Sequence, residues 1–294
     1  MAAGWTINKA GPPGWALLKI WLALIFPVAA AQAAWEEVYA RATQPAGAVL
    51  LFKPVTQDTQ RLASVLAPFI LQSTGTDGTE VTRQRAAFGV PLSGRRGTNP
   101  VVYYREGKLP WGGLIHTQMT YLWIYSASSP GEELPVQGVR ITLNQQGFPV
   151  IWEMLAAPQR RQEVYVAGSV EHAALQQWGG RLAGRRFVVE PAPEAAPSLV
   201  MPLVVEDAPV VFGPMIYLER STRGPHAVIC RCMPALATQI VDTVYYDLAA
   251  WPADAWKRLR QRREGLEMVK RLEAFERQPP VLQLRLPAPA GTKP

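Results

Sequence analysis

His116-Thr117-Gln118-Met119-Thr120-Tyr121-Leu122-Trp123-Ile124-Tyr125-Ser126 is the stretch on which the fold turns. Strand side chains alternate between two faces, and here the alternation is clean. Met119, Tyr121, Trp123 and Tyr125 fall on one face; His116, Gln118, Thr120, Leu122 and Ile124 fall on the other. The first face is aromatic and reads as core, with stacking on sugar rings by Tyr121, Trp123 and Tyr125 as the functional alternative. The second face is half polar. There His116 and Gln118 could line a ligand pocket, or His116 could be a core histidine bonded to a backbone carbonyl.

The neighbouring stretches extend the sheet. Residues 138–143 and 148–155 flank Asn144-Gln145-Gln146-Gly147 and predict a hairpin, with Gly147 free to take positive φ. Residues 101–104 predict a strand and Gly107-Lys108-Leu109-Pro110 a turn. Nearer the start, 47–52 reads as a strand and 58–67 as a helix ended by Pro68, while 73–99, rich in Gly, Thr, Ser and Arg, reads as a long loop.

Beyond the hairpin, 163–167 predicts a strand. A helix over 170–178 follows, capped by Ser169 and stopped by Gly179-Gly180, and then a strand at 186–189. The proline-rich 191–198 is a candidate internal linker. Further strands are expected at 199–205, 210–219, 226–232 and 239–248. A helix over 252–277 carries Trp256, Leu259, Leu266, Val269, Leu272 and Phe275 as an apolar stripe, and Pro279-Pro280 ends it. The expected class is α+β, a mixed, mostly antiparallel β-sheet core with a few helices and a C-terminal amphipathic helix.

The N-terminus adds a compartment. Lys9 and Lys19 precede the apolar block 20–31, and Ala31-Gln32-Ala33 supplies small residues where a signal peptidase cuts. Residues 1–33 therefore read as a cleavable export signal; the block is shorter than the roughly 20 apolar residues of a membrane span. The rest divides into a β-rich globular domain at 34–250, a basic amphipathic helix at 251–278 and a proline-rich flexible tail at 279–294. At 48% hydrophobic, the chain has the material for a real core. Its net charge of +7 suits anionic envelope components or acidic proteins as partners. Export, and the lack of a run alternating basic and aromatic residues, argues against nucleic acid. The run Lys257-Arg258-Leu259-Arg260-Gln261-Arg262-Arg263 is the densest charge. Arg258, Arg260, Arg262 and Arg263 could meet an anionic surface or a partner, or form the solvated side of a packed helix.

Cys230 and Cys232 are the two cysteines. In a strand they share a face, about 6.5 Å apart, near the upper end of disulfide Cα separations. Export favours oxidation, so the pair reads as a structural bridge or inert thiols, a redox couple or soft-metal ligands. His226 shares their face but lies roughly 13 Å away along a regular strand. A metal would need His116 or distant carboxylates, and no cofactor is otherwise called for. The chain has no G-x-S-x-G, H-E-x-x-H, Walker A or haem C-x-x-C-H motif. The expectation is an exported, envelope-associated binding or interaction protein, with a thiol-redox or metal-binding role for Cys230 and Cys232 as the alternative.

Overall fold

The computed structural model describes residues 36–287 apart from 56–57, 59, 76, 93–97, 127–135, 156–160, 221–222, 234 and 261–264. The export signal expected at 1–33 lies outside the described residues. The chain divides into two units, Met1–Val38 and Tyr39–Pro294, and all the strands among the described residues lie in the second.

The elements run in chain order. A helix over 36–42 (α1) precedes β1 (Gly47–Pro54), α2 (Leu62–Val65), β2 (Phe69–Ser73) and α3 (Gly78–Ala87). Then come β3 (Val101–Trp111), β4 (Leu114–Ile124), β5 (Val136–Leu143), β6 (Pro149–Met154) and β7 (Gln162–Ala167). α4 (Gly168–Trp178) leads to the short β8 (Leu199–Val200) and β9 (Val204–Val205), then β10 (Met215–Leu218), β11 (Pro225–Ile229) and β12 (Ala237–Ala250). α5 (Ala255–Arg260), α6 (Gly265–Arg277) and a 3-10 turn at Pro280–Gln283 close the description.

The fold is α+β. Among the described residues, twelve strands form a mixed, mostly antiparallel sheet accompanied by six helices. Strand order is β11-β10-β2-β1-β12-β3-β4-β5-β6-β7-β8, and β9 also pairs β7. β3 to β7 form an antiparallel meander. β12 joins the two halves of the sheet: Ala237–Tyr246 run parallel to β1, and Asp247–Ala250 run parallel to β3. The crossover through α4 sets β8 and β9 parallel to β7.

Alternation along β4 sorts the cores as its sequence demands. Met119, Tyr121 and Trp123 enter the main core with Ile141, Ile216, Val228 and Tyr246. Leu122 and Ile124 face a second core, closed by Leu259 of α5 and Met268, Val269, Leu272 and Phe275 of α6. Each such side chain, fully buried, contributes about 1.5–3 kcal/mol, so this stripe is enough to hold α6 on the sheet. A third cluster, Val49, Leu71, Met215, Tyr217, Ala227 and Ile229, packs β1, β2, β10 and β11 together.

Several elements differ from expectation. The helix expected over 58–67 shrinks to the single turn of α2, and the loop expected at 73–99 contains α3. Asp77 caps α3 by accepting from the Thr79 amide at 3.0 Å, with Glu80 three residues on. The turn expected at 107–110 is continuous strand; the chain reverses at Gly112-Gly113, both at positive φ. No strand forms at 186–189. Glu171 accepts the Val188 and Val189 amides, and buried Glu190 accepts those of Arg186, Phe187 and Met201. The proline-rich 191–198 is folded onto Arg185, whose guanidinium donates to the carbonyls of Pro191, Ala196 and Leu199. The expected helix at 252–277 is described as α5 and α6, and 261–264 lie outside the described residues. Residues 279–287, expected as the start of a flexible tail, are packed: Val281 and Leu284 are buried, and the Arg285 amide donates to Val189 O at 2.7 Å. The hairpin stands as expected, with Gly147 at φ 86°.

Candidate functional site

β11 stops at Ile229, and the chain turns at once, the Met233 amide donating to Cys230 O at 3.2 Å. Cys230 and Cys232 are joined by a disulfide across this turn, their Cα atoms 5.2 Å apart. The sequence pattern places both cysteines inside an extended strand. The turn instead draws them closer than an extended strand would, into the usual range for a bridge. Beyond it, the Leu236 amide donates to the Tyr217 hydroxyl at 2.9 Å, returning the chain to β12.

The two sulfur-bearing residues are unequal. Cys230 is 6% exposed and belongs to the main core, whereas Cys232 is exposed. The Cys232 amide donates to Cys230 Sγ at 3.0 Å. An N–H aimed at a sulfur stabilises negative charge there, so the geometry favours Cys230 as the sulfur that leaves as thiolate. Of the two, Cys232 is the one that solvent reaches.

Arg231, between the cysteines, turns its side chain inward. Its guanidinium donates to Ala67 O and stacks on Phe69, 3.7 Å from the ring centroid. Burial pushes its pKa down to about 10, which leaves it cationic at neutral pH. Around the same loop the Tyr121 hydroxyl donates to Ala63 O at 2.7 Å and the Tyr246 hydroxyl to Pro68 O at 2.6 Å. Both phenols are held neutral, their pKa values raised chiefly by burial. Among the described residues no carboxylate lies within ion-pair distance of Arg231. The 63–69 segment is thus a shelf of carbonyls that receives Tyr121, Arg231 and Tyr246, and the disulfide-closed turn sits on it. Gly213 packs against this shelf, its amide donating to Val65 O at 3.0 Å.

The other candidates lie elsewhere. Tyr121, Trp123 and Tyr125 are fully buried, which corrects their reading as a stacking platform. His116 is 2% exposed; its Nδ1 lies 2.9 Å from Leu143 O and its ring 4.6 Å from that of Trp111, as a core histidine would. Gln118 donates to Thr142 Oγ1 at 2.9 Å. His226 Nε2 contacts Gln44 O at 3.2 Å. Among the described residues no three His, Cys, Asp or Glu side chains gather to hold a metal, so the structure brings neither histidine into a ligand set with the cysteines. Arg258 and Arg260 are exposed, but each meets a carboxylate: Asp254 at 2.7 Å for the first, Glu273 for the second. Arg262 and Arg263 lie outside the described residues. No described helix is long and apolar enough to cross a membrane.

A second polar cluster fastens α1. Arg41 bridges Glu163 of β7 at 2.6 Å and Glu219, which follows β10, at 2.9 Å, while the Tyr165 hydroxyl donates to Glu163 Oε2 at 2.9 Å. Burial, helped by like-charged Glu219, outweighs Arg41 and Tyr165 and pushes the Glu163 carboxyl up to about 7. Each member has a partner within the cluster, so it reads as a strut.

Sequence reasoning found the cysteine pair but missed Arg231. Its signal was positional: a cation flanked by two cysteines shares whatever environment the bridge occupies. No protein-family model, curated protein or solved structure matches this chain.

Proposed function

We propose that this chain is an exported thiol–disulfide exchange protein whose reactive centre is Cys230–Cys232. The observation that carries the reading is the bridge itself, which spans two residues and has one exposed and one buried end. Such a bridge ties no distant parts of the fold together. In the chain-entropy model a loop of about three residues yields roughly 1–2 kcal/mol, well below the 2–4 kcal/mol typical of structural disulfides. A structural role explains little of it. Asymmetric exposure, with an amide donor on the buried sulfur, suits exchange.

The chemistry balances with a dithiol partner. A partner thiolate attacks Cys232 Sγ; a mixed disulfide forms as the Cys230–Cys232 bond breaks, and Cys230 leaves as a thiolate that takes a proton. The partner's second thiolate then attacks its own sulfur in the mixed disulfide, releasing Cys232. The partner dithiol gives up two electrons and two protons to become a disulfide, and the cysteine pair gains them as two thiols. Cleavage after Ala33 would deliver the protein to a compartment where such exchange proceeds. Envelope binding through the basic helix is the weaker reading, because Asp254 and Glu273 already engage Arg258 and Arg260.

Single-cysteine variants test the assignment. Cys230→Ser leaves the exposed thiol, which should form a mixed disulfide with oxidised glutathione at least tenfold faster than the buried thiol of Cys232→Ser. Equal rates, measured by intact mass after alkylation, would remove the asymmetry on which the reading rests.

A further inference from the structure

Arg231 is a cation placed where proteins usually avoid one. It is largely buried, stacked on Phe69 and bonded to Ala67 O, and no carboxylate balances it among the described residues. Its Nε atom is buried without a hydrogen-bond partner. A buried charge left without a counter-charge is costly, so the fold keeps it against a penalty. The groups facing the guanidinium are Phe69 and Ala67 O from the shelf, the Tyr121 hydroxyl from β4 and the Tyr246 hydroxyl from β12. Burial keeps both phenols neutral, so neither supplies negative charge at ordinary pH.

Negative charge arises at the neighbouring residue in the chain when the bridge opens. Cys230 precedes Arg231 directly and is buried with the main core. Burial alone would hold its thiol protonated, and an opposite charge nearby favours the thiolate. We propose that the Arg231 guanidinium is the built-in counter-charge of the Cys230 thiolate, an electrostatic positioning residue for thiol–disulfide exchange. The inference rests on the exchange reading and deepens it, since it gives the leaving sulfur its stabilising group. The Cys232 amide, 3.0 Å from Cys230 Sγ, assists from the outer side.

The alternative role for Arg231 is mechanical, a peg holding the turn on the shelf. The two roles separate in the reduced state. In a Cys232→Ser background Cys230 carries the one remaining thiol, and thiolate absorbance against pH reports its ionisation. With Arg231 present, the midpoint should fall on the order of one unit or more below the ordinary 8.5. Arg231→Gln should raise it back towards 8.5, because burial is then opposed by the residue-232 amide alone. Arg231→Lys, which keeps the charge and loses the planar fork, should retain most of the depression. The same midpoint in all three proteins, or a midpoint above 8.5 with Arg231 in place, would overturn the proposal. If Arg231→Gln does not fold, the parent and Lys variants still decide: a normal or raised midpoint in both overturns it. Failure of the exchange reading is distinguishable, since there the wild-type bridge would stay closed towards a dithiol whatever the thiol's ionisation.

Discussion

Arg140 on β5 and Glu153 on β6 form a two-pronged ion pair across the sheet, Nε to Oε2 at 2.6 Å and Nη2 to Oε1 at 2.9 Å, with side chains 5% and 0% exposed. The pair also fastens the C-terminal elements. Arg140 Nη1 donates to Phe275 O at 3.1 Å, its guanidinium lies 4.1 Å from the Phe275 ring centroid, and Glu153 Oε1 accepts the Val281 amide at 2.9 Å. Arg140→Met strands a buried carboxylate and should cost about 3–5 kcal/mol in urea unfolding. Arg105→Met, which breaks a part-exposed pair with Glu276, should cost about 1 kcal/mol or less. Similar losses for the two would refute the anchoring role.

Glu163 gives the fold a pH signature. Its native carboxyl, pushed up to about 7, binds a proton more tightly than the unfolded chain does at about 4.5. Folding therefore takes up a proton between those values, and this group's contribution to stability falls as pH rises through that window. The swing is about 3 kcal/mol. The stability of Glu163→Gln relative to wild type should rise by that amount from pH 4 to pH 8. Parallel stability profiles would show that Arg41 keeps the carboxyl ionised throughout.

The shelf beneath the disulfide depends on Gly213. A Cβ there would sit 2.2 Å from Leu66 O and 2.6 Å from Ala67 O, both backbone atoms. Gly213→Ala should cost about 1–3 kcal/mol, as overpacking does. It should also quicken alkylation of Cys230 in the Cys232→Ser background by displacing the carbonyl that Arg231 grips. A loss in stability with unchanged alkylation would mean that shelf and turn move independently.

What was legible in the sequence follows from the range of the forces involved. The two faces of β4 and the Asn144–Gly147 hairpin are written in neighbouring residues, and both stand. α3 was hidden because Gly78, Thr79 and Thr82 are poor helix formers; its signal was the cap formed by Asp77 with Glu80. The 186–189 segment has strand-like residues, yet Glu171 and Glu190, one distant in sequence, claim its amides. The cysteine pair was legible as a pair. Its turn was not, since the hydrogen bond from Met233 back to Cys230 competes with an apolar run that looks like continuous strand. The inward course of Arg231 depends on Ala67 and Phe69, more than 160 residues away, and no local pattern encodes it.

The most direct test of the exchange reading is transfer of the bridge to a dithiol. Oxidised protein is mixed with an equimolar reduced two-cysteine peptide, quenched with alkylating agent over time and read by intact mass. Each peptide disulfide formed should be matched by one protein dithiol at Cys230 and Cys232, through a mixed disulfide at Cys232. A peptide that stays reduced beside a bridge that stays closed would contradict it.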